Sequence, residues 1–454
     1  EDSHYQPFAG IYSTYMIPNT TDKYIMLQML AAAIKSVYAS VYYRDSKAYM
    51  MATSNVIDQE KMAVILQEVV GHQYGDHFYP NMSGVLRSIN YYPIGNETAE
   101  DGIASLALGL GKYIVDGGLT LRVSPYHPDQ VMQTSEVETA LRETQTQFYA
   151  LDMSDVGSDF KVNDGFNIMK LKVKDAEYDK SLNYIVSTFD PYDQMIYDGL
   201  YDGGRKIISF AGVLQQDVFP LPEILQMSMK YGAGAMRRPV EIEFACNINE
   251  DKTGEFYLLQ IRPIVEAKGM LEEDITKTSD NSCLLRSHNS LGHGISTDVV
   301  DVVYVKYDDN FSAMNNYYVA DDIERINRRF LSEGKNYVLV GPGRWGSSDH
   351  YLGVPVKWPH ISAARIIVEL ALKNYHVDPS QGTHFFQNLT SFGVGYFTID
   401  CNSENGGIIR KDVLDAMPAI EETDYVRHVR FDKPLKIMMD GKKQEGAIVM
   451  DESK

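Results

Sequence analysis

Residues 240–265 read VEIEFACNINEDKTGEFYLLQIRPIV. Acids alternate with apolar residues at Glu241, Ile242, Glu243 and Phe244, a polar turn NEDKTGE follows, and the second apolar run ends in Gln260, Ile261 and Arg262. Successive side chains of a strand point to opposite faces, so the spacing predicts a hairpin with Glu241, Glu243, Gln260 and Arg262 on one face. Ile242, Phe244, Leu259 and Ile261 are expected on the other. Pairing the two strands brings two carboxylates against an amide and a guanidinium. Mg2+ is usually held by one or two carboxylates plus the phosphates of its substrate, and arginine matches phosphate oxygens with a fork of N–H donors. The cluster therefore suits a metal-bound nucleotide. The same pattern also suits a hairpin whose polar face simply meets water.

Upstream of the hairpin, Leu27, Leu30, Ile34, Val37 and Val41 recur at helical spacing, with Thr20 or Thr21 as the expected N-cap. KMAVILQEVVG (61–71), SGVLRSINYYP (83–93) and SLALGLGKYIVDGG (105–118) read as strands, and VETALRETQTQFYALD (137–152) as helical. Downstream, residues 267–283 are polar, acidic and aperiodic, and are expected to form a linker. Beyond them DVVDVVYVKY (298–307) reads as a buried strand, and DDIERINRRFLSEG (321–334) as a helix capped by Asp and Gly, with Ile323, Ile326 and Phe330 on one face. NYVLVGPGRWG (336–346) reads as strand and loop, ISAARIIVELALK (361–373) as a helix and FGVGYFTID (392–400) as a strand. Strands alternating with helices argue for an α/β layout in this half. The expected class is α+β overall, with a first domain at 1–266, the linker at 267–283 and a smaller α/β domain at 284–454.

The 454 residues carry a formal charge of −20, from 62 acids against 42 bases. No basic run reverses that field, so neither nucleic acid nor an anionic membrane is an expected partner. Cys246, Cys283 and Cys401 lie far apart without a C-x-x-C pair, which favours a reducing compartment and a cytoplasmic location. The longest apolar stretch, YIMLQMLAAAIKSVYASVYY (24–43), is broken by Lys35 and Ser36. The eleven histidines show no H-E-x-x-H spacing.

The hairpin resembles the end of the ATP/pyruvate-binding domain of the phosphoenolpyruvate synthase and pyruvate phosphate dikinase family, in which an acid-x-Glu strand, a turn and a Q-x-R-P strand close the nucleotide site. Four further segments occur in that family's order: EDSHYQPFAGIYSTYMIPN (1–19), AVILQEVV (63–70), SGVLRSINYYP (83–93) and GLGKYIVDGG followed by PDQ (109–130). The resemblance implies an ATP-grasp fold using ATP and Mg2+. Carried over, Glu241 and Glu243 become the magnesium and nucleotide carboxylates, and Gln260 and Arg262 the polar groups toward phosphate and pyruvate. Gln67 and Glu68 fall beside the adenine and Ser83 near the phosphates. Ser13 and Lys112 stand where the family has acids. The family also has a lysine and an arginine ahead of the segment with which this chain begins. The expectation is an N-terminally truncated domain, with further domains of the same polypeptide upstream, that does not turn over by itself.

In the second half, GPGRWG (341–346) matches G-x-G-x-x-G, but no helix follows directly, so the dinucleotide reading fails. An anion nest with Arg344, Ser347 and Ser348 as donors and a structural turn remain equal alternatives. His384, after Gly382 and Thr383, is similar in outline to the family's phosphohistidine segment and is the candidate phosphoryl carrier, so that Arg262 and His384 are the two catalytic candidates; a structural histidine is the competing reading. His360 reads as structural, and nothing in sequence orients Asp349 on His350. The resemblance implies a phosphotransferase converting ATP and pyruvate to phosphoenolpyruvate. The alternatives are transfer to another small-molecule acceptor, or a nucleotide sensor without turnover.

Overall fold

The computed structural model describes residues 10–44, 46–47, 50, 61–90, 93–94, 96–154, 160–163, 165–264, 274–308, 311–375, 380, 385, 389, 394–403, 406–441 and 443–450. Its chain divides into two compact units, one of Ile11–Lys47 with Ile57–Ile264, the other containing Val265–Lys454.

In the first unit the alternating hairpin becomes two strands of a five-stranded antiparallel sheet. The order is Gly254–Pro263, Val240–Ile248, Met82–Arg87, Ile103–Ala107, Leu121–Val123. One face carries Met82, Leu86, Ala104, Leu106, Ile242 and Phe244, which share a core with Leu225 and Met229 of the helix Leu221–Met236. Fully burying a side chain such as Phe244 contributes about 1.5–3 kcal/mol. A slip of one residue would put Glu241 and Glu243 in that core, so the apolar set also determines where the acids point. The glycine of Ser83-Gly84-Val85 belongs to the same packing: a Cβ there would lie 2.1 Å from Phe244 Cζ, so only glycine lets the ring lie against the backbone.

Several expectations need correction here. The helix Lys23–Ser40 is capped by Asp22, whose carboxylate accepts from the N–H groups of Tyr24 and Ile25, not by Thr20 or Thr21. It buries Met29, Ala33, Ser36 and Ser40, while Leu27 is exposed. A helix apolar on most sides offers no reliable face to periodicity. Residues 61–71 form no strand, because no strand among the described residues pairs with them. Of 105–118 only the first residues belong to a strand, Ile103–Ala107, and a single helical turn, Lys112–Val115, follows. The helix expected over 137–152 ends at Glu143, and Gln147–Asp152 joins a four-stranded sheet with His72–Tyr74, His77–Tyr79 and Ile168–Lys172.

The second unit is a mixed sheet of ten strands among the described residues. Four neighbouring strands are parallel and follow chain order: His293–Val305, Tyr337–Pro342, Ala364–Ala371 and Gly395–Asp400. The helix Asn316–Glu333 connects the first two and buries Val319, Ile323, Ile326 and Phe330. It starts before the expected Asp321 and ends as expected at Gly334, whose φ of 63° is the left-handed value a helix C-terminus favours. The expected helix at 361–373 is instead the central strand Ala364–Ala371. A parallel strand covered on both faces shows an unbroken apolar run, which resembles a buried helix; Ile366, Ile367 and Val368 carry the β-branched signal that decides it. Of the expected linker, 267–273 lie outside the described residues. Two 3-10 turns, Ile275–Lys277 and Asp280–Ser282, then lead into the strand Cys283–Ser287.

Candidate functional site

The register of the hairpin sets Glu241 opposite Arg262 and Glu243 opposite Gln260. A bulge follows at once: Phe244 pairs with Leu258, which leaves Leu259 as the extra residue. On the inner side Glu241 faces Arg87 of the Met82–Arg87 strand. These pairings build a ladder of alternating charge on the sheet face away from the core. Arg87 Nε lies 2.9 Å from Glu241 Oε2, Arg262 Nε donates to Glu241 Oε1 at 3.0 Å, and Arg262 Nη2 donates to Glu243 Oε1 at 2.5 Å. Exposure rises along it, from 3% for the Arg87 side chain and 2% for Glu241 to 13% for Arg262 and 25% for Glu243. Opposite charges about 4 Å apart attract by roughly 4 kcal/mol at the effective dielectric of a protein surface. The inner end is a sealed ion pair, and the outer end is where a ligand can reach a carboxylate and a guanidinium together.

Glu241, Glu243, Gln260 and Arg262 are thus brought together as the alternation predicts. Ser83 lies on the same face, opposite Ala245, but it is buried and donates to the Gly109 carbonyl at 2.6 Å. Its hydroxyl holds the Gly-Leu-Gly turn in place. Gln67 is exposed along the sheet edge, where its amide donates to the Leu259 carbonyl at 3.3 Å; the bulge turns that carbonyl outward from the ladder. Glu68 is exposed next to it. His384 lies outside the described residues.

Arg87 is the residue that sequence reasoning missed. It stands at the end of Ser83-Gly84-Val85-Leu86-Arg87, in step with Ser83 and Val85, so its face was legible. Its partner was not, because that depends on which strand lies beside it.

In the second unit the GPGRWG loop closes on the protein itself. Gly343 and Gly346 take φ values of 70° and 79°, and the Trp345 N–H donates to Glu369 Oε1 at 2.9 Å. Ser380, through N–H and hydroxyl, and the Tyr396 hydroxyl also donate to the Glu369 carboxyl. Burial pushes the Glu369 carboxyl above its ordinary range, and these hydrogen bonds and the nearby Arg344 only partly offset that. Ser347 bonds within its own turn, to the Asp349 carbonyl and N–H. The nest is therefore filled by an internal carboxyl. Asp349 accepts from the Tyr351 N–H, and His360 Nδ1 accepts from the Lys357 N–H, a capping role in line with its structural reading.

No group of three or more His, Cys, Asp or Glu side chains arranged to hold a metal occurs among the described residues. The donor chemistry that fits Mg2+ is the carboxylate pair, with Glu243 the accessible member; oxygens of a nucleotide would have to complete the coordination.

The family described as pyruvate phosphate dikinase, AMP/ATP-binding domain, matches residues 1–282, more than half of the chain, and the chain belongs to that family. A comparison with curated proteins finds no match. No helix among the described residues is long and apolar enough to cross a membrane.

Proposed function

We propose that the chain is the nucleotide-binding part of an ATP-dependent phosphotransferase resembling phosphoenolpyruvate synthase, with an ATP-grasp-like first domain. The observation that carries this reading is the ladder, which places Arg262 within hydrogen-bonding reach of two carboxylates on an accessible sheet face. Family membership supplies the nucleotide. Glu243 is the carboxylate that reaches Mg2+, with Glu241 the sealed acid behind it, and the ion when bound would neutralise phosphate charge. Arg262 stabilises the transferred phosphoryl group and Gln260 orients it. Gln67 and Glu68 line the adenine end beside the Leu259 bulge, and Ser83 supports the turn over the phosphates. His384 is the proposed acceptor of the phosphoryl group, for passage to pyruvate or another small acceptor.

Titration calorimetry of the chain with Mg2+ and ATP tests the site. Glu243→Ala is expected to weaken binding by at least ~1.5 kcal/mol, the scale of one charge-assisted contact. Equal affinity in chain and variant would remove the hairpin from the nucleotide site. Mass spectrometry at alkaline pH after incubation with ATP tests His384, and phosphate on another residue, or on none, would return it to a structural role.

A further inference from the structure

At the far edge of the five-stranded sheet, the short strand Leu121–Val123 turns Leu121 and Val123 into the core and Arg122 to the opposite face. Register follows that face across the sheet: Glu243 stands opposite Val85, Val85 opposite Ser105, and Ser105 opposite Arg122. Arg122 thus shares a face with Glu243 but lies three strands away, ~14 Å at the usual strand spacing. Between them Val85 packs with Tyr113 and Ile114 of the helical turn Lys112–Val115, which separates the two ends of the row.

The backbone of Arg122 is tied down: its N–H donates to Gln133 Oε1 at 3.3 Å, while Gln133 Nε2 donates to the Thr120 carbonyl at 3.1 Å. The guanidinium is not. Its Nε is buried without a hydrogen-bond partner, and among the described residues no carboxylate pairs with the group. The Ser124 hydroxyl, fully buried, also lacks a partner. Ser124 is two residues further on and precedes Pro125, which favours extended backbone, so alternation puts its hydroxyl on the side of Arg122. Ser105, only 7% exposed, faces Arg122 from the neighbouring strand. A buried donor without an acceptor costs free energy, so the fold gains nothing from a charge at position 122. An anionic oxygen would supply the missing acceptor.

We propose that Arg122, flanked by the hydroxyls of Ser105 and Ser124, is a binding site for a small oxyanion, a phosphate or a carboxylate group, distinct from the charge ladder. The guanidinium fork matches the paired oxygens of either group, and the hydroxyls add neutral donors beside it. The oxyanion belongs either to a free small ligand or to the phosphates of a nucleotide. The inference goes beyond the nucleotide-binding reading and does not require it.

The test is calorimetric titration of the full chain with inorganic phosphate, with pyruvate, and with ATP and Mg2+, repeated for Arg122→Met and Arg122→Lys, with urea unfolding of each. Arg122→Met is expected to weaken binding of at least one of the three probes tenfold or more. Arg122→Lys, which keeps the charge without the fork, is expected to weaken the same probe by less. A loss confined to phosphate or pyruvate assigns a free anion to the site, and a loss confined to ATP assigns the phosphates of the nucleotide. The unfolding midpoint of Arg122→Met should equal or exceed that of the parent, since methionine retains an apolar stem and removes an unpaired charge. Unchanged affinities for all three probes, or a parent chain that binds none of them, overturns the proposal. So does an Arg122→Met chain that fails to fold, because the guanidinium would then serve the fold rather than a ligand. A parent chain that binds phosphate or pyruvate but not ATP overturns the nucleotide reading alone.

Discussion

Glu241 in the first unit and Glu369 in the second are both buried at strand positions, yet one is balanced by charge and the other by dipoles. Glu241 sits between Arg87 and Arg262 in a ladder that opens to solvent at Glu243. Glu369 is enclosed by the Trp345 and Ser380 N–H groups and by the Ser380 and Tyr396 hydroxyls, and burial raises its pKa. A buried carboxyl hydrogen-bonded by neutral backbone and hydroxyl donors, with Arg344 only nearby, serves to close a loop. One between two cations belongs to a ladder of charges whose outer end, at Glu243, is open to solvent. The same side chain is a structural clasp in one setting and part of a candidate binding site in the other.

Breaking the charged side of this comparison should have the largest effect. Glu241→Leu leaves Arg87 and Arg262 facing an apolar group, and is expected to cost about 3–5 kcal/mol of stability, read from urea unfolding of the chain. A loss below about 1 kcal/mol would mean that the two guanidiniums find other anions or water without strain.

Asp301 sharpens the comparison, because it is a charge-balanced carboxylate inside the second unit. His428 Nε2 lies at 2.7 Å and Arg430 donates at 2.8 and 3.1 Å, while Arg329 donates to His428 Nδ1, which leaves the His428 proton on the nitrogen facing Asp301. Burial works to raise its pKa, but the hydrogen bonds from His428 and Arg430 outweigh it and hold the carboxylate below its ordinary 3.8. A depressed acid stabilises the fold above its unfolded pKa and loses that contribution as pH falls through the folded value. Asp301→Asn should therefore cost about 2–3 kcal/mol at neutral pH. The gap between variant and parent should close as the pH drops below 3.8. A gap that persists unchanged in acid would assign the loss to shape rather than charge.

Glu369 has the opposite sign. Its raised pKa means that the protonated form suits the fold, so its contribution is fully present below the ordinary 4.5 and is lost as pH rises through the folded value. Glu369→Gln turns an amide NH2 toward one of the two backbone N–H donors, and is expected to cost about 1–2 kcal/mol. That cost should shrink with rising pH, the reverse of the Asp301 trend, when unfolding is followed across the acid range. Smallest of all is the ion pair of Lys180 with Glu250, each 68% exposed. Glu250→Gln should leave the unfolding midpoint unmoved within error, since solvent screens such a pair.

How much of this was legible in advance depends on the range of the physics involved. The hairpin is a local object: a period of two, a polar turn and a buried apolar face are carried by neighbouring residues, and together they determined that Glu241, Glu243, Gln260 and Arg262 share a face. The helix ending at Gly334 was legible for the same reason, through its apolar stripe and C-terminal glycine. Residues 61–71 and 361–373 were misread because strand formation is settled by partners. The first has β-rich composition and, among the described residues, no ladder to join. The second has parallel neighbours on both sides, whose cover removes the alternation that marks a strand. Arg87 shows the same limit within the site. Its pairing with Glu241 spans most of the first unit and exists only because the Met82–Arg87 strand lies beside Val240–Ile248. Sequence alone determined that the acids, the amide and the guanidinium of the hairpin share a face. Sheet order, a consequence of burying one apolar face against the helix Leu221–Met236, decided which charges touch, and with it which of two neighbouring glutamates is sealed and which is open.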